Sequence, residues 1–345
     1  MLVQLFILSG IPEKNDTLVM RPEGRSYIAN LAAANTMFVT RLNDRSGKTR
    51  YFDPVSGSEK TSSLWLRQIG GHTSWHDNSG QLKTTSNRYV SQFGGDIFKG
   101  TFTDKDSWRI GVMGGFGRTD SSTKSTVSGF KSKGSVEGYS SGLYATWYED
   151  DSRKKGGYVD TWMQYNWFDN KVKGDGISSE SYDSKGITAS LETGYSLGLN
   201  DYLGLNNENY EWLVQPQVQV TWMGVKQDSH IESNGTHISN SSYNNIQTRI
   251  GGRTFIREQN EYRNQDGTDF EPYLEVNWIN NSRLYGVSMN GVSVKQSGSR
   301  NIGEIKTGIN GNLTPTTGIW GNVGFQIGDN GYNDASVMLG LIYKF

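Results

Sequence analysis

The chain has 345 residues, no cysteine and a formal net charge of −1. Disulfides and thiol chemistry are therefore excluded, and no broad field exists to gather nucleic acid or an anionic surface. Mean hydropathy is low at −0.62, yet the chain carries 10 Trp, 18 Tyr, 13 Phe and 43 Gly against only 6 Pro, a mixture that fits a transmembrane β-barrel, in which half of each strand faces a polar lumen and dilutes the apolar signal.

No run of 18 or more apolar residues occurs, which argues against a transmembrane helix. The opening MLVQLFILSG is apolar but short and has neither a basic flank nor a small-residue cleavage site. Residues 1–20 read as a leader or linker, or as residues foreign to the native chain. Next comes SYIANLAAANTMFVTRLNDR, residues 26–45, rich in Ala and Leu and free of Gly and Pro. Pro22 precedes it, Ser26 is positioned to cap it and Gly47 follows. Eighteen helical residues would span about 27 Å, roughly a bilayer core. Asn30, Asn35, Thr36 and Arg41 make a poor lipid-facing surface, so this helix is expected to sit inside something.

From there on, the pattern has period two. TSSLWLRQIGGHTSW places Leu64 and Leu66 opposite Trp65 and Arg67. SWRIGVMGGFGRT sets Trp108, Ile110, Val112 and Phe116 against Arg109, Gly111, Met113 and Gly115. EGYSSGLYATWY and YVDTWMQYNW alternate likewise. In WLVQPQVQVTW, residues Trp212, Val214, Pro216, Val218, Val220 and Trp222 alternate with Gln215, Gln217, Gln219 and Thr221, giving an apolar stripe with Trp at both ends, as in a strand crossing between two aromatic girdles. Twelve strands result: 62–74, 87–99, 106–119, 135–149, 156–170, 184–198, 210–226, 242–257, 269–281, 301–313, 317–328 and 335–345. A further stretch at 284–296 reads as part of a long loop, because a single-chain bacterial barrel has an even strand count. Links after odd strands, such as HDNSGQLKTTSN and DSSTKSTVSGFKSKGS, look long and polar, and links after even strands look shorter. The expected fold is an all-β membrane protein, a 12-stranded antiparallel transmembrane barrel over residues 62–345, closed by pairing the last strand with the first so that no free edge remains.

Ionisable residues on the faces opposite the apolar stripes are Arg67, Asp96, Arg109, Asp160, Glu192, Arg249, Arg253, Glu271, Glu275 and Glu304, with Lys306 and Lys344. They read as a wetted lumen wall whose charges pair with one another, some of them holding the helix through Asn30, Asn35, Arg41 and Asp44. Near the first strand's mouth, where His72 also sits, His76 beside Asp77 makes a weak protease-like pair. His230 and His237 have no metal-site spacing. The GGFG run at 114–117 opens no helix and reads as small residues that leave room inside. No cofactor or metal is expected.

RPEGRSYIANLAAANTMFVTRLNDRSG, LWLRQIGGH, QFGGDIF, GVMGGFGRT, GYSSGLYATWY and YVDTWMQY, with NLTPTTGIWGNVGFQIG and VMLGLIYKF at the end, together resemble the autotransporter β-domain of type V secretion, in particular that of AIDA-type adhesins involved in diffuse adherence. The likeness covers residues 21–345. It implies a pore-spanning helix and linker at 21–47, and a non-enzymatic, monomeric translocator in the outer membrane of a Gram-negative bacterium, with loops at the cell surface. It further implies export of an N-terminal adhesin passenger, which the barrel then anchors while the helix plugs the pore. Implied partners are outer-membrane lipid, the passenger, periplasmic chaperones and the barrel assembly machinery, which would read Val337, Leu339, Leu341, Tyr343 and Phe345. The adjacent Asn-Asn pair at which some members cut their own chain is absent, since Asn30 and Asn35 are separated. A porin-like diffusion channel is the alternative, and an outer-membrane protease a weaker one.

Overall fold

A computed structural model describes residues 20–46, 63–150, 155–200, 210–258, 269–314 and 316–344. The expectations for residues 1–19, for the linker around 47–62 and for Phe345 lie outside these. Twelve long antiparallel strands form the wall: β1 Ser63–His76, β2 Leu82–Gly100, β3 Ser107–Ser125, β4 Lys131–Asp150, β5 Lys155–Gly174, β6 Glu180–Gly198, β7 Tyr210–Met223, β8 Asn245–Glu258, β9 Asp269–Asn281, β10 Asn301–Asn312, β11 Thr317–Gly328 and β12 Asn333–Lys344. Each pairs with its sequence neighbours, and β1 pairs with β12 from Ser63↔Lys344 to Ser74↔Asn333. The sheet closes on itself, so every strand has two partners and none presents an open edge to lipid.

The alternation read in the sequence fixes which face points where. On β7, Trp212, Val218, Val220 and Trp222 are exposed while Gln217, Gln219 and Thr221 are buried in the lumen. Trp212 and Trp222 are ten residues apart, roughly 33 Å along the strand at 3.3 Å per residue, which a tilt of about 40° reduces to the height of an apolar membrane band. On β12, Val337, Leu339, Leu341 and Tyr343 point outward, with Met338 and Ile342 inside. On β1, Leu64 and Leu66 face out and Arg67 faces in. No helix among the described residues is long and apolar enough to cross a membrane; the crossing is made by strands.

The expected link lengths change at one mouth. The links after β1, β3 and β5 are short turns, 77–81, 126–130 and 175–179, because most of the polar residues assigned to loops continue the strands as hairpins. Polar residues on both faces conceal a strand that has risen out of the apolar band and needs no apolar stripe. The links after β7 and β9 are long. They fold together as a separate four-stranded sheet of His230–Ile231, His237–Ser242, Gly286–Met289 and Val292–Lys295. The segment 284–296 is thus a loop hairpin and not a thirteenth wall strand.

The single helix expected over 26–45 is two. α1 spans Glu23–Thr36, with Pro22 at its N-cap position, and α2 spans Leu42–Ser46. Ser26 caps nothing: it lies within α1, its hydroxyl 2.6 Å from that of Ser132. α1 covers about 21 Å at 1.5 Å per residue.

The closing seam carries its own clamp. Arg88 on β2 reaches across Gly71 on β1 to both carboxylate oxygens of Asp334 on β12, one of them at 2.7 Å, and Thr73 Oγ1 donates to the same carboxylate at 2.5 Å. A Cβ at Gly71 would lie 2.4 Å from the Arg88 guanidinium carbon. Gly71→Leu is therefore expected to displace the clamp at a cost of about 1–3 kcal/mol. Semi-native electrophoresis would show this as a lower temperature for conversion from the folded to the unfolded band.

Candidate functional site: the filled lumen

α1 enters at the barrel end that carries the links after odd strands, here termed the upper mouth. Its first turns are apolar on several sides: Tyr27, Ile28 and Leu31 pack with Met223, Ile238, Tyr285, Val287 and Met289 from the wall and the small sheet. Polar contacts fix its rotation. Tyr27 donates to Glu232 at 3.1 Å, Arg21 pairs with Glu232 at 3.2 Å, and Arg25 donates to the Lys295 carbonyl at 2.7 Å. Lower down, Asn30 donates to the Lys171 carbonyl and the Tyr182 hydroxyl, both at 3.1 Å. Asn35 donates to the Val225 carbonyl at 3.0 Å and accepts from the Val225 amide at 3.1 Å. That pair of bonds copies a strand neighbour, satisfying backbone that would otherwise be orphaned in the lumen.

The wall gives the helix room. Gly115, Gly117 and Gly134 face inward, and a Cβ there would lie 2.9 Å from Phe38, 2.5 Å from the Met37 sulfur and 2.5 Å from Asn30 Oδ1. This accounts for the inward half of the GGFG run.

α1 then stops without Gly or Pro, and the lumen supplies the cause. Gln92 and Gln164 donate to the Phe38 carbonyl at 3.2 and 3.0 Å, and Arg67 to that of Val39 at 3.1 Å. Trp162 and Gln219 donate to the Thr40 carbonyl at 3.0 and 2.9 Å. Three consecutive carbonyls are taken by side chains of β1, β2, β5 and β7. Non-helical backbone at membrane depth is tolerated only when it is so satisfied.

Below the break lies an ionic knot. Arg41 pairs with Glu275 at 2.9 Å and Glu304 at 2.7 Å. Asp44 pairs with Lys306 at 2.8 Å and, more loosely, with Arg67 at 3.5 Å. Arg45 reaches both oxygens of Asp160 at 2.6 and 2.7 Å. Glu192 accepts from the Leu42 amide and from Tyr158, and pairs with Arg249, which also contacts Glu275. Of the lumen charges expected from the sequence, Arg67, Asp160, Glu192, Arg249, Glu275 and Glu304 belong to this knot. Arg253 and Glu271 form a separate group with Arg257, in which the Arg253 guanidinium lies over the Tyr273 ring. Asp96 accepts from Ser63 and Tyr144, and Arg109 lies over Tyr148.

Sequence reasoning missed the pairing of Arg45 with Asp160 and the carbonyl donors Gln92, Gln164, Gln219 and Trp162. The inward glutamines of β7 were the visible signal for the latter. The Asp77 beside His76 is a turn device. Its carboxylate accepts from the Leu82 amide and from both the amide and hydroxyl of Ser79, an Asx turn ahead of Gly80 at φ +72. Burial works upward on that carboxyl, but these hydrogen bonds hold it below its ordinary pKa. No metal-holding cluster occurs among the described residues. Among the described residues, the plug occupies the lumen from the upper mouth down to the knot, leaving beside it a cavity of about 260 Å³ lined by Arg41, Asp44, Arg67, Arg88 and Lys306 among others. A diffusion channel needs the opposite arrangement.

The family model for the autotransporter beta-domain matches residues 64–324. The chain is 53% identical over 326 residues to the uncharacterized protein YuaQ of Escherichia coli K12, covering 94% of this chain and 24% of that protein. It is 39% identical over 342 residues to the autotransporter adhesin AIDA-I of Escherichia coli, covering 99% of this chain and 26% of the adhesin. The chain thus spans about a quarter of the length of these two relatives. The crystal structure of the AIDA-I transport unit from Escherichia coli superposes with a TM-score of 0.83 at 38% identity, covering 95% of this chain and all of that one.

Two outcomes test the knot. Arg45→Ala leaves Asp160 buried without its partner and is expected to cost about 3–5 kcal/mol, while a volume-matched apolar replacement of both recovers most of the loss; the unfolding midpoint in semi-native electrophoresis measures each. Gly117→Leu takes the space of Met37, and trypsin should then cut the folded barrel after Arg41 or Arg45, sites that stay protected in the parent chain.

Proposed function

The chain belongs to the autotransporter β-domain family, whose role is passenger export, and from that premise we propose that its barrel sits in the outer membrane, carries an adhesin passenger to the cell surface and then anchors it there with the helix as plug. The observation that carries this reading is the path of the chain. Residue 20 leaves the upper mouth beside the β1–β2 turn, where its amide lies 3.4 Å from Gln81 Oε1. From there the chain descends as α1, breaks, and reaches the ionic knot with α2. A segment threaded this way joins whatever precedes it, at one mouth, to a wall strand that begins at the other. The upper mouth, with its raised hairpins and small sheet, is then the cell-surface side.

An adhesin is the passenger favoured here because the relative AIDA-I is an adhesin. The barrel itself acts without enzymatic chemistry. Its mechanism is mechanical: a closed wall isolates a polar path, the passenger crosses unfolded, and the helix settles into its donors once transit ends. Val337, Leu339, Leu341 and Tyr343 of β12 and the last residue of the sequence, Phe345, are the terminal motif that the barrel assembly machinery reads, after periplasmic chaperones have delivered the precursor. Outer-membrane lipid meets the same apolar band, and the barrel is monomeric.

Fusing a reporter ahead of residue 21 tests the reading. Surface protease is expected to release the reporter from intact cells, and truncating the chain before β12 is expected to abolish display. A reporter that stays in the periplasm behind a correctly folded barrel contradicts export.

A further inference from the structure

The hairpins that rise above the apolar band carry a basic surface. On the outward faces of β3, β4 and β5, successive cross-strand rungs can be followed upward. The first is aromatic, Phe116↔Tyr139↔Trp167, with ring centroids 5.4 and 6.3 Å apart along it. The next is Arg118↔Glu137↔Asp169, and above it Asp120↔Ser135↔Lys171. Then come Ser122↔Lys133↔Lys173 and, on β2 to β4, Lys83↔Lys124↔Lys131. Lysine therefore faces lysine directly at Lys133↔Lys173 and along the whole of the last rung. Like charges placed directly opposite destabilise a sheet.

Among the described residues, nothing pairs with them. Lys83, Lys124, Lys131, Lys133, Lys171 and Lys173 are all exposed, and among the described residues no carboxylate lies within ion-pair distance of their ammonium groups. The nearest acidic residues are engaged elsewhere or sit lower. Asp120 is held by Arg118 at 2.9 Å, the Asp175 carboxylate accepts from the Lys131 backbone amide, and Glu137 and Asp169 lie two residues from the aromatic rung. The described residues thus leave room for a counter-anion from outside.

Direction decides what it is. The lysines share the outward parity of Tyr139, Trp167 and Phe116, so they project sideways from the wall, parallel to the lipid-facing side chains, and not upward from the mouth. Lys133 is six residues above Tyr139, roughly 20 Å along the strand and about 15 Å above the girdle after tilt. That is the headgroup layer of a large lipid. We infer that this face binds the phosphate groups of an outer-leaflet glycolipid headgroup, the lysines acting as point charges to phosphate. The inference rests on the outer-membrane placement proposed above.

The full chain in neutral detergent would be titrated with lipopolysaccharide carrying a phosphorylated core, and with the same lipid after chemical dephosphorylation. The variant K131Q/K133Q/K173Q is compared with parent and with K105Q, which lies in the 101–106 link at the opposite end. Semi-native electrophoresis confirms that each is folded. The triple variant is expected to bind the phosphorylated lipid at least tenfold more weakly than parent, K105Q within twofold, and the dephosphorylated lipid weakly to all three. Equal affinity of parent and triple variant overturns the inference. So does equal loss of binding to soluble dextran sulfate at parent affinities matching the lipid's, which would make the face a general polyanion site. Reporter display in the same variants separates the two levels: display with no phosphate-dependent lipid binding sinks this inference alone, whereas no display from the parent sinks the reading beneath it.

Discussion

Every backbone amide and carbonyl at membrane depth must find a partner inside the protein, because lipid offers none. The wall meets this by closing β1 on β12. The plug meets it in a less regular way. Its helix satisfies itself down to Thr36, and the next free carbonyls, Phe38 to Thr40, are collected by Gln92, Gln164, Arg67, Trp162 and Gln219. These donors come from four different strands, so the break in the helix and the shape of the barrel specify one another.

Charge enforces the same fit. Arg41, Asp44 and Arg45 alternate in sign along a few residues, and the wall answers each with its opposite. Buried pairs of this kind add little net stability over apolar packing, but a mismatched charge is expensive. Their effect is to select one depth and one rotation of the plug. Above them the inward glycines act by subtraction, since Gly115, Gly117, Gly134 and Gly174 leave the space that Phe38, Met37, Asn30 and Glu23 take. An unfolded chain in transit makes none of these contacts, which is consistent with one lumen serving first as a path and then as a seat.

The fold was largely legible in the residues. Period two survives wherever a strand has lipid on one side and water on the other, so Trp212 to Trp222 and Val337 to Tyr343 were assigned to the correct faces. It fails where both sides are wet: Asp120–Ser125 and Lys131–Gly134 are strand with no apolar stripe, and they read as loop. The ends of α1 were misjudged because helix propensity continues through Met37–Leu42, while the forces that break it come from residues far away in sequence. Parity alone suggests which charges line the lumen, but it does not say which of them meet the plug. Asp160 and Asp96 look alike on paper, yet one binds Arg45 and the other accepts from Ser63 and Tyr144. The basic hairpin face was hidden for the same reason as the hairpins themselves.

The central claim is that the chain's own N-terminal segment fills the lumen. Single-channel conductance in a planar bilayer tests it most directly, comparing the full chain with one lacking residues 1–45. The account predicts low conductance that rises sharply on deletion. Equal, large conductance from both would mean that the pore was never blocked, and would contradict it.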